Sequence, residues 1–196
     1  MPRPKIHDEG LRARLLETAG TIVAAEGAGG LSVRRIAADV GTSTTAIYSL
    51  FGGKGELVRE VWLEGFRRLA DRMAAVPHTD NSLDDLAELG RAYRGHALDN
   101  RAFYEIMFGD AVTEYEPSEA DQAEARRALD ALVEGVRRCV ADGYAAGEPE
   151  ELAMALWGLV HGMVSLELRG LLGEPDDAAR RFDLALLLSA LGMVPR

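Results

Sequence analysis

Apolar side chains recur every three or four residues along nearly the whole chain, and no run of β-branched and aromatic residues alternates with period two. That pattern predicts helices and no sheet. Leu11, Leu15, Ala19, Ile22 and Val23 share one face of a first helix over about 7–26, and Gly27 stops it. Ala28 to Leu31 reads as a loop. Ser32 then caps a short helix, its hydroxyl accepting a free backbone N–H of the first turn; Val33, Ile36 and Ala37 face inward and Gly41 ends it. Ser43 caps a third helix that reaches Leu50. A long helix over about 54–76 carries Leu57, Val61, Phe66, Leu69 and Met73, and Pro77 closes it.

The rest of the chain reads the same way. Ser82 with Asp85 predicts a capping box ahead of Leu83, Leu86, Leu89, Tyr93 and Leu98. A short helix is expected over 102–108, and Ser118 with Asp121 suggests another cap. From there one long helix should run to Tyr144, with Leu129, Leu132, Val133, Val136 and Val140 apolar. Pro149 suits a first helical turn, where its missing N–H costs nothing. The helix it opens, to about Leu172, is apolar around much of its circumference; a last helix over about 175–191 shows Phe182, Leu186, Leu187 and Leu191. The expectation is all-α: nine helices, with no internal repeat and no low-complexity linker.

Composition narrows the chemistry. At 196 residues, 47% hydrophobic and 28% charged, the chain can bury a core without staples. Its single cysteine, Cys139, allows no internal disulfide and no thiolate cluster; it reads as a small core hydrophobe rather than a redox switch. The four histidines are scattered without metal-ligand pairing. No acid–base pair or triad stands out, so no catalytic residue, metal or cofactor is expected. The longest uncharged apolar stretch, 152–166, has 15 residues, short of the roughly 18–20 that span a bilayer. The first residues lack the apolar run of a signal peptide. A cytoplasmic protein without a membrane partner is expected.

Net charge is −10, which argues against nucleic acid until its distribution is read. Residues 1–55 carry seven basic and five acidic side chains, whereas 56–196 carry 15 basic and 27 acidic. The same division separates a helix-turn-helix head, 1–55, from a helical body, 56–196. In such a motif the second helix enters the major groove, and a glycine often serves the sharp bend before it. Here that helix offers Thr42, Ser43, Thr44, Thr45 and Tyr48 outward and Ala46, Ile47 and Phe51 inward. Hydroxyls suit base edges and phosphates, and a threonine methyl suits a thymine methyl. A polar turn between two core helices is the plainer alternative. A phosphate loop at Gly53-Lys54 fails on spacing and chemistry: no glycine opens it, and Gly55 follows the lysine where a serine or threonine belongs.

The order of residues from Leu31 to Leu57 resembles the DNA-binding head of the TetR family of bacterial transcriptional regulators. The match lies at Ser32, Ile36, Ala37, Gly41, Ser43, Tyr48, Phe51, Lys54 and Leu57. Thr45 stands where glycine or proline is usual, Ala46 where threonine is usual, and Leu50 replaces a common histidine or tyrosine. The resemblance implies that Tyr48 and Lys54 grip phosphates and that Thr44 and Thr45 lie against base edges. It places Thr42 and Ser43 at the groove entrance, and Arg34 within reach of the backbone or a base. Arg3 and Lys5 form either an arm along the DNA or a solvated terminus.

The stretches Ala155–Leu168, with Trp157 before His161-Gly162, and Ala92–Gly109 resemble one C-terminal subgroup of the same family. The resemblance implies a helical bundle that dimerises through its last two helices and encloses a small-molecule cavity. Gly158 and Gly162, four apart, would let another backbone approach closely. Trp157 and His161, one turn apart, would line the cavity with Tyr93, Phe103, Tyr104, Met107 and Val136; the alternative is that these are plain core residues. The expected function is a homodimeric repressor, released from a palindromic double-stranded operator by a small apolar or aromatic effector. Two alternatives stand beside it: an all-helical carrier or enzyme without DNA binding, and a DNA binder whose pocket is filled by side chains.

Overall fold

The structure, a computed structural model, describes residues 5–109 and 115–193. It is all-α among those residues: α1 Lys5–Glu26, α2 Val33–Val40, α3 Thr44–Phe51, α4 Lys54–Ala74, α5 Ser82–Asp99, α6 Arg101–Phe108, α7 Glu119–Arg126, α8 Asp130–Ala141, α9 Pro149–Leu168 and α10 Pro175–Met193. Ala28–Gly30, expected as a loop, winds into one 3-10 turn.

Two compact units divide the chain, one of Met1–Arg67 with Asn100–Ala125, the other of Arg68–Asp99 with Arg126–Arg196. This is not the division at residue 55 read from charge and motif. The first half of α4 packs with the N-terminal helices because Leu57, Val58 and Val61 are buried in their core, and α6 joins them through Phe103 and Ile106. The division of roles at residue 55 is a separate matter from this packing.

In the first unit Leu15, Leu16, Val23, Ile36, Ile47 and Leu57 are buried, the inward positions that the periodicity marks on α1 to α4. Burying each such side chain is worth about 1.5–3 kcal/mol. Gly20 makes a notch on α1: a Cβ there would stand 3.0 Å from the Phe103 ring of α6. Asp121, almost fully buried, takes Arg59 of α4 at 2.6 Å, the Tyr115 hydroxyl at 2.9 Å and the Ser118 amide at 3.1 Å. The Ser118 oxygen in turn accepts from the Asp121 amide at 3.2 Å, which completes the cap expected there.

In the second unit α5, α8 and α9 pack on one another and α10 lies on α5 and α9. Arg94 of α5 holds Glu167 of α9 through two bonds, 2.7 and 2.5 Å, beside the Phe182 ring of α10. Three expectations change here. Asn81, not Ser82 with Asp85, caps α5: its side-chain oxygen takes the Leu83 and Asp84 amides at 3.2 and 3.3 Å. Asp85 is spent instead on the Thr79 amide and hydroxyl and on Arg138, at 2.8, 2.7 and 2.6 Å. Those donors, Thr79 first, pull the Asp85 carboxyl down to about 2.

The helix expected to run unbroken to Tyr144 is two, α7 and α8, joined by a 3-10 turn at Arg127–Leu129. The description therefore holds ten α-helices rather than nine. The break falls where the first unit ends and the second begins. Finally, α9 stops at Leu168 rather than Leu172, because the Gly170 and Leu171 amides turn back onto the Glu167 and Leu166 carbonyls at 2.8 and 3.0 Å. Among the described residues α9 is the one helix long and apolar enough to cross a membrane by length and composition. Ala153, Val160 and Val164 of that helix are buried within the unit.

Candidate nucleic-acid interface and small-molecule cavity

The helix-turn-helix is built by its caps. The Ser32 hydroxyl accepts from the Arg35 amide at 3.5 Å, and the Ser43 hydroxyl from the Ala46 amide at 3.1 Å. Between them Gly41 takes φ 72°, a left-handed conformation that costs a residue with a Cβ roughly 1–2 kcal/mol. The Thr42 amide closes the turn on Ala37 O at 2.8 Å. The fixed bend buries Ile47 and Phe51 and turns the opposite side of α3 outward.

That outward side carries most of the residues expected there. Ser43, Thr45 and Tyr48 are exposed, Tyr48 at 55%, while Thr42 and Thr44 are half-buried. Ser43 uses an oxygen lone pair for its cap and keeps its O–H to donate. The Tyr48 ring lies against Gly53, 4.0 Å from where a Cβ would stand, so it borders the start of α4. Lys54 opens α4 and is exposed; its ammonium donates to the Gly29 carbonyl at 3.3 Å. No carboxylate neutralises it among the described residues, and the free N–H groups of a helix start favour an anion beside it.

Neighbouring arginines divide by partner. Arg35 pairs with Glu26 at 2.8 Å and lies 3.9 Å from Asp39. Arg34, exposed on α2, has no carboxylate partner among the described residues. Arg12, over the Phe51 ring, pairs with Glu60, which also takes Arg59 and Arg67 at 3.2 and 3.1 Å. Arg3 lies outside the described residues, and Lys5 opens α1.

The second unit holds a cavity of about 40 Å³, lined by α4, α5, α8, α9, α10 and the 3-10 turn before α8. Its wall is apolar: Leu86, Leu132, Leu156, Val160 and Leu186 among others, with Tyr93, Trp157 and Ser189 the polar members. That space is well short of the roughly 150 Å³ that takes a benzene, so a guest must move a side chain. Of the residues expected at such a site, Tyr93 and Trp157 line it. His161 stands behind Tyr93, its Nδ1 3.1 Å from the phenol oxygen, and the Trp157 indole N–H donates to that oxygen at 3.4 Å. Burial, with Arg169 nearby, lowers the His161 pKa and favours its neutral form.

Val136, fully buried, is not part of that wall. Phe103, Tyr104 and Met107 are buried in the first unit: Phe103 fills the Gly20 notch, Tyr104 stacks edge-on with Phe108, and Met107 lies where a Gly65 Cβ would be. Sequence reasoning missed Gly90, Leu186 and Ser189. A Cβ at Gly90 would stand 2.8 Å from Leu186, so that glycine makes the room Leu186 occupies. Ser189, one hydroxyl on an otherwise apolar stretch of α10, was the available signal.

One more surface is conspicuous by its composition. Leu184, Leu187, Leu188 and Leu191 of α10 are 53–64% exposed, and Met154 and Leu166 of α9 are exposed too. Nothing lies within 4 Å of where a Cβ would stand at Gly158 or Gly162. Singly exposed leucines are ordinary, but a contiguous apolar patch marks an interaction site.

Comparison with known proteins bears on both units. Residues 15–61 match the family described as bacterial regulatory proteins, tetR family. Residues 86–188, more than half the chain, match the tetracyclin repressor-like C-terminal domain. The HTH-type transcriptional regulator Rv1816 of Mycobacterium tuberculosis is 27% identical over 139 residues, 69% of this chain and 59% of that protein. The chain thus spans under two thirds of that relative's length. The HTH-type transcriptional repressor DrrR1 of Streptomyces coeruleorubidus is 43% identical over 61 residues, 31% of this chain and 22% of its own. Among solved structures, the regulatory protein SCO4313 superposes with a TM-score of 0.78 at 27% identity, covering 98% of this chain and 100% of that one. A tetR family transcription regulator from Shewanella sp. PV-4 shares the fold, with a TM-score of 0.75 at 20% identity over 95% and 99% of the two chains. The capped helix-turn-helix and the matched N- and C-terminal segments agree: the chain belongs to the TetR family of bacterial transcriptional regulators, which are not enzymes.

Proposed function

We propose that this chain is a cytoplasmic, homodimeric, DNA-binding repressor whose grip on a palindromic operator is released by a small apolar effector. The observation that carries the DNA-binding part is α3: a helix fixed by two serine caps and a glycine bend, exposing hydroxyls beside an unneutralised lysine at the next helix start. In this reading residues 1–55 do the reading of DNA and 56–196 the dimerisation and sensing. Tyr48, Lys54 and Arg34 hold phosphates, Ser43 and Thr42 sit at the groove entrance, and Thr44 and Thr45 meet base edges. The repressor sign is supported by the similarity of 61 residues of the chain to a protein named as a repressor.

The exposed apolar side of α9 and α10 takes a second copy of the chain, with Gly158 and Gly162 allowing close approach. Two heads then address half-sites one helical turn, about 34 Å, apart. The effector enters the cavity beside Tyr93 and Trp157. It shifts the protein away from the operator only by the difference of its affinities for the two states. The body's likeness to the subgroup with tryptophan and His-Gly on the penultimate helix accords with Trp157 and His161 meeting Tyr93.

The test is a pair of substitutions on operator and random DNA. Lys54→Ala weakens both about equally and lowers the salt slope by about one, because a phosphate contact carries no sequence information. Thr45→Ala lowers only the preference for operator. A Lys54→Ala protein with unchanged affinity and salt slope overturns the placement of Lys54.

A further inference from the structure

The cavity in the second unit is bounded on one side by a leucine seated against a glycine. A Cβ at Gly90 of α5 would stand 2.8 and 3.4 Å from the two methyl groups of Leu186 on α10 and 3.7 Å from its branch carbon, and these are the three atoms nearest to it. Leu186 therefore lies in the notch that the missing side chain leaves. Leu89 fills a second notch in the same way, 2.8 Å from where a Gly135 Cβ would stand on α8. The two leucines differ in what surrounds them. Leu89 is 4% exposed, closed in by its neighbours. Leu186 is half-buried and is followed on α10 by the exposed Leu187 and Leu188, so its side chain has room on the solvent side. Both leucines line the cavity, and no charged side chain does.

We infer that Leu186 is the side chain a guest displaces, and that the cavity therefore takes an uncharged apolar group of about one ring. The inference rests on the reading of this cavity as the effector site. The open space, about 40 Å³, is too small for such a group. Withdrawing Leu186 adds the room of a leucine side chain, and the roughly 150 Å³ opened by one leucine-to-alanine truncation in a packed core holds a single benzene. A fused two-ring guest needs more. A charged group entering the same wall loses its hydration with no opposite charge to meet it. Unseating Leu186 exposes an apolar side chain, which costs the guest roughly ten- to a hundredfold in affinity. Leu186 thus sets both the size of the guest and the threshold of its binding.

The experiment uses the full-length protein with Trp62→Phe, which leaves Trp157, on the cavity wall, as its one indole. Bromobenzene, para-bromobenzoate and bromonaphthalene are titrated at neutral pH, their bromine quenching Trp157 on contact, and the leucine methyl groups are followed by NMR. The Leu186 methyl pair is the one missing from Leu186→Ala. Bromobenzene should quench Trp157 saturably and shift that pair, and Leu186→Ala should bind it roughly tenfold or more tightly, since no leucine is left to unseat. Leu186→Val, the milder truncation, should move the affinity the same way if the alanine variant folds poorly. Para-bromobenzoate and bromonaphthalene should bind the parent protein weakly; either one binding as well as bromobenzene overturns the assigned class of guest. Quenching by bromobenzene with the Leu186 methyls unmoved, and its affinity unchanged in Leu186→Ala, overturns Leu186 as the displaced side chain but leaves the cavity as the effector site. No quenching by bromobenzene in the parent or in either Leu186 variant overturns the cavity reading, and the inference with it.

Discussion

Two exposed helical surfaces of this chain use opposite chemistry. On α3 the outward side is Ser43, Thr45 and Tyr48, next to Lys54, and its apolar side chains, Ile47 and Phe51, are buried. On α10 the outward side is four leucines, and Phe182 and Ala178 of the same helix are buried as well. The first helix has an ordinary amphipathic pattern and a small cost of solvation. The second is apolar on two sides, and a helix of that kind is covered on both. A helix that faces water polar-side-out can meet a polar partner and leave it again. One that presents leucines outward needs a partner that stays. The contrast supports the proposed assignment of α3 to DNA and of the α9–α10 face to a second protomer.

The largest expected effect breaks the second surface. Leu187→Arg places a charge on a residue 58% exposed in one protomer, so the fold tolerates it, but in a dimer the charge is buried and unpaired, at a cost of about 3–5 kcal/mol. Sedimentation velocity should then show monomers, and operator affinity should fall more than a hundredfold. A Leu187→Arg dimer would move the interface elsewhere.

Acid separates the two units next. Burial, aided by the charges of Arg72 and Arg68, depresses the His96 pKa from its ordinary value near 6.5 to about 4. A depressed pKa means the unfolded chain binds the proton first, so stability is full above pH 6.5 and is lost as pH falls toward 4. The loss is on the order of 3 kcal/mol. Asp85, held near 2, adds a further loss only below the ordinary carboxylate range. Both groups lie in the second unit; in the first, Asp121 is also held low, by Arg59 first and by Ser118 and Tyr115. Between pH 6.5 and 4.5 the second unit should weaken and the first should not. Urea denaturation followed at Trp62 and at Trp157, in single-tryptophan variants, reads the two units apart. His96→Phe should flatten the slope at Trp157.

Thr45→Ala sharpens the first surface. If Thr45 meets a base edge, the preference for operator over random DNA falls by about 1–3 kcal/mol, with dimerisation unchanged. The smallest effect is Gly41→Ala. A Cβ at Gly41 meets nothing within 4 Å, so backbone strain at φ +72 is the whole penalty, about 1–2 kcal/mol. It should appear in the Trp62 transition alone.

How far the sequence reaches follows the range of the interactions. Ser32, Gly41 and Ser43 act within four residues of themselves, and the helix-turn-helix they build was legible in full. Ser118 with Asp121 is equally local and forms as expected. Asp85 looks like a local cap but spends its oxygens on Thr79 and on Arg138, 53 residues away, and nothing near it announces that. The cavity is harder again, because Gly90 and Leu186 meet across 96 positions and their pairing depends on how α10 lies on α5. Trp157 and His161 share a helix face that the sequence marks, and both meet Tyr93 in the structure. Phe103, Tyr104 and Met107 are grouped with them through the resemblance of Ala92–Gly109 to the same subgroup, and the fold spends those side chains in the other unit.

The most direct test is the affinity of the protein for a duplex from upstream of its own gene, against a scrambled duplex of equal length and composition, at physiological salt. A repressor that reads bases through α3 should prefer the native duplex by at least a thousandfold, and Thr45→Ala should erode that margin while Leu187→Arg abolishes tight binding. Equal affinity for the two duplexes across a salt titration, with the dimer intact, would contradict it.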